Sequence, residues 1–123
     1  MRVLLSIKPK YAEKIFSGVK RYEFRKQAFK KTVDVVVLYA TKPVGKIVGE
    51  FRLKSILQGS PDEIWQKTAQ FSGISRDFFD RYYKNHKRAY ALEIEHPVQY
   101  KRPIKPFEFM ADFTAPQTYR YIP

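Results

Sequence analysis

Gly18-Val19-Lys20-Arg21-Tyr22-Glu23-Phe24-Arg25 is the stretch on which the reading of this chain turns. Its alternation predicts a β-strand, with Tyr22 and Phe24 directed to a core and Glu23 and Arg25 to the opposite side. Lys20 enters just before them, close to Gly18, where glycine permits a tight turn. A lysine, a carboxylate and an arginine gathered on one side of a small barrel would make a polar pocket of mixed sign. Such a pocket suits a ligand that offers both an anion and hydrogen-bonding edges, as a nucleotide does.

On the N-terminal side, Val3 to Ile7 reads as a strand, and Pro9 opens a helix that runs to about Ser17. Tyr11, Ala12, Ile15 and Phe16 recur there at helical spacing and are assigned to the core, with Gly18 as the stop. On the C-terminal side, Arg21 to Lys26 is the second strand and Gln27 to Thr32 a basic, exposed connection. Asp34 to Tyr39 is a β-branched run suited to a buried strand, and Ala40 to Pro43 is a turn. Gly45 to Leu57 reads as one bent strand, with Gly49 at the bend or at a close backbone approach.

Ser60-Pro61-Asp62-Glu63 is a helix start, with serine as N-cap, proline at the first position and glutamate three after the cap. Ile64, Trp65 and Thr68 give that helix an inner face, and Ser72-Gly73 breaks it. Ser75 caps a further helix carrying Phe78, Phe79, Tyr82 and Tyr83, whose spacing assigns them to packing on a sheet rather than to base stacking. Arg88 to Glu95 is a strand, Tyr100 to Pro106 a basic, proline-rich surface connection, Phe107 to Met110 a helical turn, and Thr118 to Ile122 the closing strand. Short strands with helices inserted between them predict an α+β barrel forming one domain over residues 1–123.

Hydrophobic residues make up 44% and aromatics 16% of the chain, enough for a core without staples. No cysteine is present, which excludes disulfides, thiolate zinc sites and a cysteine nucleophile, and fits a cytoplasmic location. No signal peptide and no membrane span is read from the sequence. The net charge is +12, and the first 31 residues hold ten Lys or Arg against two Glu. A basic first quarter that contains the candidate pocket points to polyanionic partners.

The spacing G-x-K-x-x-E-x-R, filled by Gly18, Lys20, Glu23 and Arg25, resembles the signature of the ASCH domain, within the PUA-like β-barrel superfamily. Leu5 to Pro9 with Tyr11 to Ile15 is similar to that family's first strand and helix, Val48 to Phe51 to its central strand, and Tyr90 to Leu92 to a late one. Pro116, Gln117 and Tyr119 resemble the C-terminal region of small prokaryotic members. The resemblance spans nearly the whole chain. It implies a PUA-like mixed β-barrel of five to six strands with short helices between them.

Lys8, Lys20 and Arg25 are donors without acceptors and are the candidates for phosphate or a carbonyl edge. Glu23 either accepts from an exocyclic amine of a base or holds the lysines in place as a paired carboxylate. An internal salt-bridge network that only closes the barrel mouth is the alternative for all of them. Thr41, Gln117 and Tyr119 join the candidate set through their place in the resemblance and their hydrogen-bonding ability. Lys26, with Lys8, Lys10, Lys20, Arg25, Lys30 and Lys31, would form a basic surface for phosphates.

The expected function is binding of nucleic acid, RNA before DNA, or of a free nucleotide; a regulatory use is a further step. No cofactor and no metal is called for. The alternative is a hydrolase acting on RNA or an acylated nucleoside, with Lys20 and Glu23 as its catalytic residues. Some ASCH proteins are acetylcytidine amidohydrolases that use a threonine, a lysine and a glutamate, and others are metal-dependent ribonucleases. The lysine corresponds to Lys20, but the threonine's position is held by Glu23. Between Ser17 and Thr32 the only hydroxyl is Tyr22, so the chain departs from a threonine-nucleophile pattern. Glu50 and Glu93 are the other carboxylates considered as a base near Lys20, and His86 and His96 are read as surface residues. A small-ligand sensor or protein-interaction module is a third class that no residue singles out.

Overall fold

The computed structural model describes residues 1–123. Six strands form one mixed sheet: β1 (Arg2–Ile7), β2 (Tyr22–Arg25), β3 (Val35–Ala40), β4 (Lys46–Gly59), β5 (Ala89–Ile104) and β6 (Tyr119–Ile122). The helices are α1 (Pro9–Ser17), α2 (Pro61–Thr68), α3 (Arg76–Tyr82) and α4 (Pro106–Phe109). Strand order is β2-β5-β4-β3-β1-β6, with β1 and β3 parallel and the other neighbours antiparallel. The sheet curls into a barrel-like α+β fold, but no ladder joins β2 to β1 or β6. A seam is left there. No helix is long and apolar enough to cross a membrane.

The central strands are apolar on both faces, as strands covered on both sides must be. Val3, Leu5 and Ile7 of β1 pack with Ile15 of α1, Val36 and Leu38 of β3, and Phe51 of β4. On the other face Leu4, Val37, Tyr39, Ile47 and Ile122 form a second cluster. A third, around Phe24, Ile64, Phe79 and Tyr83, seats α2 and α3 on β2 and β5.

Local signals place the helices. Pro9 opens α1, and Gly18 ends it with a left-handed φ of 86°. At α2 the Ser60 hydroxyl accepts from the Glu63 N–H at 3.2 Å while the Glu63 carboxylate accepts from the Ser60 N–H at 3.4 Å. The Ser75 hydroxyl accepts from the Phe78 N–H at 3.1 Å and starts α3.

Two expectations need correction. Residues Tyr100 to Ile104, read as a connection, continue β5, and β4 runs on to Gly59. The two prolines within β5 lie where the ladder is interrupted. Glu50 pairs Val98 and Arg52 pairs Glu95, so His96 and Pro97 together oppose Phe51 in a bulge, with His96 at φ 49°. Pro103 falls in a second irregularity, between the Gly49–Gln99 and Ile47–Ile104 pairs. In such stretches the missing proline N–H costs no ladder bond.

Gly49 sits at the register shift of β4, and a Cβ there would collide with the Val98 carbonyl oxygen and stand 2.5 Å from Phe16 Cζ. We expect Gly49→Ala to lose about 1–3 kcal/mol by overpacking. Gly18→Ala, with open space around its Cβ, should lose about 1 kcal/mol from left-handed strain alone. Urea unfolding midpoints of the two variants check the order.

Candidate functional site

The seam between β2 and β1 opens into a hollow of about 290 Å³. The end of β1, the start of α1, β2 and α3 surround it. Glu23 and Arg25 lie two apart on β2 and therefore share a face. Arg25 Nη2 donates to Glu23 Oε2 and to the Ser6 carbonyl, both at 2.9 Å. Lys20 Nζ donates to the Ser72 carbonyl at 2.7 Å and stands 3.8 Å from Glu23 Oε1. The two cations thus converge on Glu23, which is almost wholly buried.

Lys20 does not belong to the basic surface on which it was expected, for it is only 2% exposed. Its ammonium lies 4.8 Å from the Phe24 ring centroid and 5.5 Å from that of Tyr11, within cation–π range. Burial pushes its pKa below the ordinary lysine value, while Glu23 acts in the opposite sense and Lys14 and Arg25 add to the lowering. A turn at Ser72-Gly73 receives this lysine and a second one, since Lys14 Nζ donates to the Gly73 carbonyl at 2.9 Å. Gly73 is needed there: at φ 70°, a Cβ would fall 2.7 Å from Lys20 Cβ.

Most of the rest of the lining is aromatic, with Ile7 and Ile74 beside it. Tyr11, Phe24, Phe78 and Tyr82 face the hollow, with the Tyr11 and Phe78 rings edge to face at 6.0 Å. The four aromatics of α3 divide: Phe79 and Tyr83 are buried in the core, whereas Phe78 and Tyr82 are half-buried and turn to the hollow. Two i,i+4 pairs one residue apart occupy adjoining helix faces, so a narrow core contact accommodates one pair. That doubling is the signal in the sequence for the second pair. Tyr11, too, read as core, walls the hollow. Burial raises the pKa of Tyr82, whose hydroxyl donates to the Phe24 carbonyl at 3.3 Å.

The structure brings Lys8, Lys20, Glu23 and Arg25 together around this hollow, Lys8 being exposed at its rim. Lys26, Gln117 and Tyr119 lie instead around an adjoining hollow of about 330 Å³, which shares Arg25 and Tyr82 with the first. Thr41 lines neither; it follows β3, and its N–H donates to the Ile7 carbonyl at 3.0 Å. Glu50 accepts from the Tyr100 hydroxyl at 2.6 Å and Glu93 from the Ser55 hydroxyl at 2.7 Å, and neither lines the first hollow. His86 and His96 are exposed. No three His, Asp or Glu side chains come together as a metal-binding group.

The lowered Lys20 pKa has a sign that can be tested. Between that value and the ordinary 10.5, the unfolded chain binds the proton that the folded chain has released. Stability from this residue therefore rises with pH across that window. Lys20→Met should remove the rise. Urea midpoints of both proteins, measured from neutral pH to just below tyrosine ionisation, should converge or cross as pH increases.

The ASCH domain family model matches residues 5–101. Among curated relatives, the large ribosomal subunit protein uL22 of Ureaplasma parvum is 34% identical over 102 residues, covering 82% of this chain. The chain spans 33% of that relative's length. An ASCH domain-containing ribonuclease of Zymomonas mobilis is 26% identical over 126 residues, covering 97% of this chain and 82% of the relative. The crystal structure of ASCH from Zymomonas mobilis superposes with a TM-score of 0.89 at 26% identity, over 99% of this chain and 87% of that one. The chain belongs to the ASCH domain family.

Proposed function

We propose that this protein binds single-stranded RNA and takes one nucleobase into the hollow above Glu23 and Arg25. The observation that carries this reading is the pairing of a charged, hydrogen-bonding floor with half-buried aromatic walls from Tyr11, Phe78 and Tyr82. A base stacked on such rings gains about 1–3 kcal/mol whatever its identity. Glu23 presents carboxylate oxygens to an exocyclic amine, and the exposed Lys8 at the rim and Lys10, whose ammonium stands 5.1 Å from the Tyr11 ring centroid, serve for phosphates. The volume lies at the small end of the ~300–1,000 Å³ range of ligand sites, which fits a base rather than a larger molecule.

Binding of a short single-stranded RNA, followed by fluorescence anisotropy from roughly 50 to 200 mM salt, tests the reading. Lys8→Ala should lower the slope of log affinity against log salt by about 0.7, the share of one phosphate on a single strand. Phe78→Ala with Tyr82→Ala should weaken binding at least about 5-fold while leaving the slope unchanged, as expected for lost stacking. Unchanged affinity in that double variant would reject the base-binding reading. A single-stranded DNA of the same sequence and the free nucleotides, run alongside, rank the alternative ligands.

A second reading, RNA cleavage at the same hollow, is favoured by the likeness to the Zymomonas ribonuclease along nearly the whole chain. The residues present do not make a metal site. The one carboxylate in the hollow, Glu23, is already bonded to Arg25, so no step through a metal is drawn. Structured RNA and acetylated cytidine, incubated with and without divalent ions, decide between the two readings. Product that disappears in Glu23→Gln and Lys20→Met moves the assignment to an enzyme, and no product from either substrate leaves the binding reading in place.

A further inference from the structure

We infer that the adjoining hollow is a subsite for the next nucleotide of the same strand, so that the ligand is an oligonucleotide rather than a free nucleoside or mononucleotide. The inference rests on the base-binding reading and adds a second position to it. Three features argue for it.

First, the two hollows adjoin. Arg25 and Tyr82 form part of the lining of both, so a strand that occupies the two crosses one shared wall. Second, the lining has the composition that a nucleotide needs. Lys26 supplies a mobile cation whose ammonium stands 4.7 Å from the Tyr82 ring centroid. Gln117 supplies an amide able both to donate and to accept. Tyr119 supplies a ring face, held edge to face against Phe29 at 4.8 Å. Third, this second hollow is built by the same residue that builds the first. The Ser6 carbonyl holds Arg25, and the Ser6 hydroxyl donates to the Pro116 carbonyl at 2.8 Å, which fixes the segment that presents Gln117.

The shared wall itself has spare donor capacity. Arg25 Nη2 serves Glu23 and Ser6, but Arg25 Nε is buried with no acceptor. An unpaired buried donor of this kind calls for an explanation. A phosphodiester crossing from one hollow to the other brings acceptor oxygens to that junction, and a small turn of the guanidinium would let Nε meet one. A 5′-mononucleotide can bring a phosphate to that junction but has no second nucleoside for Lys26, Gln117 and Tyr119 beyond it.

Calorimetric titration of the protein with a 5′-mononucleotide and with the 3′,5′-linked ribodinucleotide of the same base tests the inference, using adenine and uracil in parallel. The dinucleotide should bind at least about 5-fold more tightly, the lower end of what a second stacked base gives. Gln117→Ala, at an exposed position that lines only the second hollow, should reduce that advantage and leave the mononucleotide affinity as it was. Tyr119→Ala should act likewise, and the exposed Gln117 covers the case in which this variant is misfolded. Equal affinity for the two ligands, or variants that weaken both alike, would overturn the second subsite while the base-binding reading survives. Failure of both ligands to bind overturns the base-binding reading as well.

Discussion

The hydrogen bond from Arg25 to the Ser6 carbonyl is the constraint on which the site depends. Strand order leaves β2 at one edge of the sheet and β6 at the other, so nothing in the backbone ladder holds β2 near β1. The geometry of β1 explains why a side chain can do so. The Ile7 carbonyl is turned to β3 and its neighbour Thr41, and alternation turns the Ser6 carbonyl the other way. There β6 has already ended its pairing, at Leu5–Tyr119. A free acceptor remains at the seam, and the guanidinium of Arg25 fills it. Arginine suits this place because its planar group reaches a carboxylate and a carbonyl at once, which a lysine ammonium does with less geometric control.

Charge burial around this bond has a definite direction. Lys20 and Arg25 both face Glu23, and Lys14 lies near enough to lower the Lys20 pKa further. Burying an ammonium is costly unless it is paired and hydrogen-bonded. Here the Ser72 carbonyl, one carboxylate and two aromatic faces share that task. Even so, two cations meet one anion, and the floor of the hollow keeps a positive surplus. A ligand that brings acceptor atoms or negative charge relieves that surplus, whereas a cationic one adds to its cost. The electrostatics of the floor and the basic rim therefore select in the same sense.

What was legible in the sequence was local. The capping box at Ser60, the stop at Gly18 and the two-residue alternation of Glu23 and Arg25 each depend on neighbours in the chain, and the structure follows them. The extension of β5 depends on pairing with β4 across bulges that no local pattern announces, so the basic, proline-rich run from Tyr100 to Pro106 reads as a connection. Lys20 was read both into the pocket beside Glu23 and onto the basic surface, and the pairing with Glu23 was legible because it is local. Its burial was not, since the Ser72 carbonyl and the bare face of Gly73 that receive it lie some fifty residues along the chain. Helical spacing likewise shows that Phe78 and Tyr82 share a face, but not that this face looks onto a hollow while Phe79 and Tyr83 fill the core. Thr41 shows the converse case: a hydrogen-bonding side chain in a suggestive place, brought to neither hollow.

The position of both hollows follows from the incomplete closure of the sheet. Were β2 to pair along its free edge with β1 or β6, the ladder would occupy the space now lined by Glu23 and Arg25. Backbone bonds would replace the side-chain bond at Ser6, and the aromatic faces of α1 and α3 would close on a continuous surface. The seam therefore forgoes ladder hydrogen bonds, each worth about 0.5–1.5 kcal/mol net, and holds its two sides by one charged group instead. That substitution leaves room between the sides and sets polar atoms facing into it. A barrel-like sheet joined by a guanidinium rather than by a ladder thus keeps an open cleft at its seam, walled by the polar and aromatic side chains that a closed ladder would have covered.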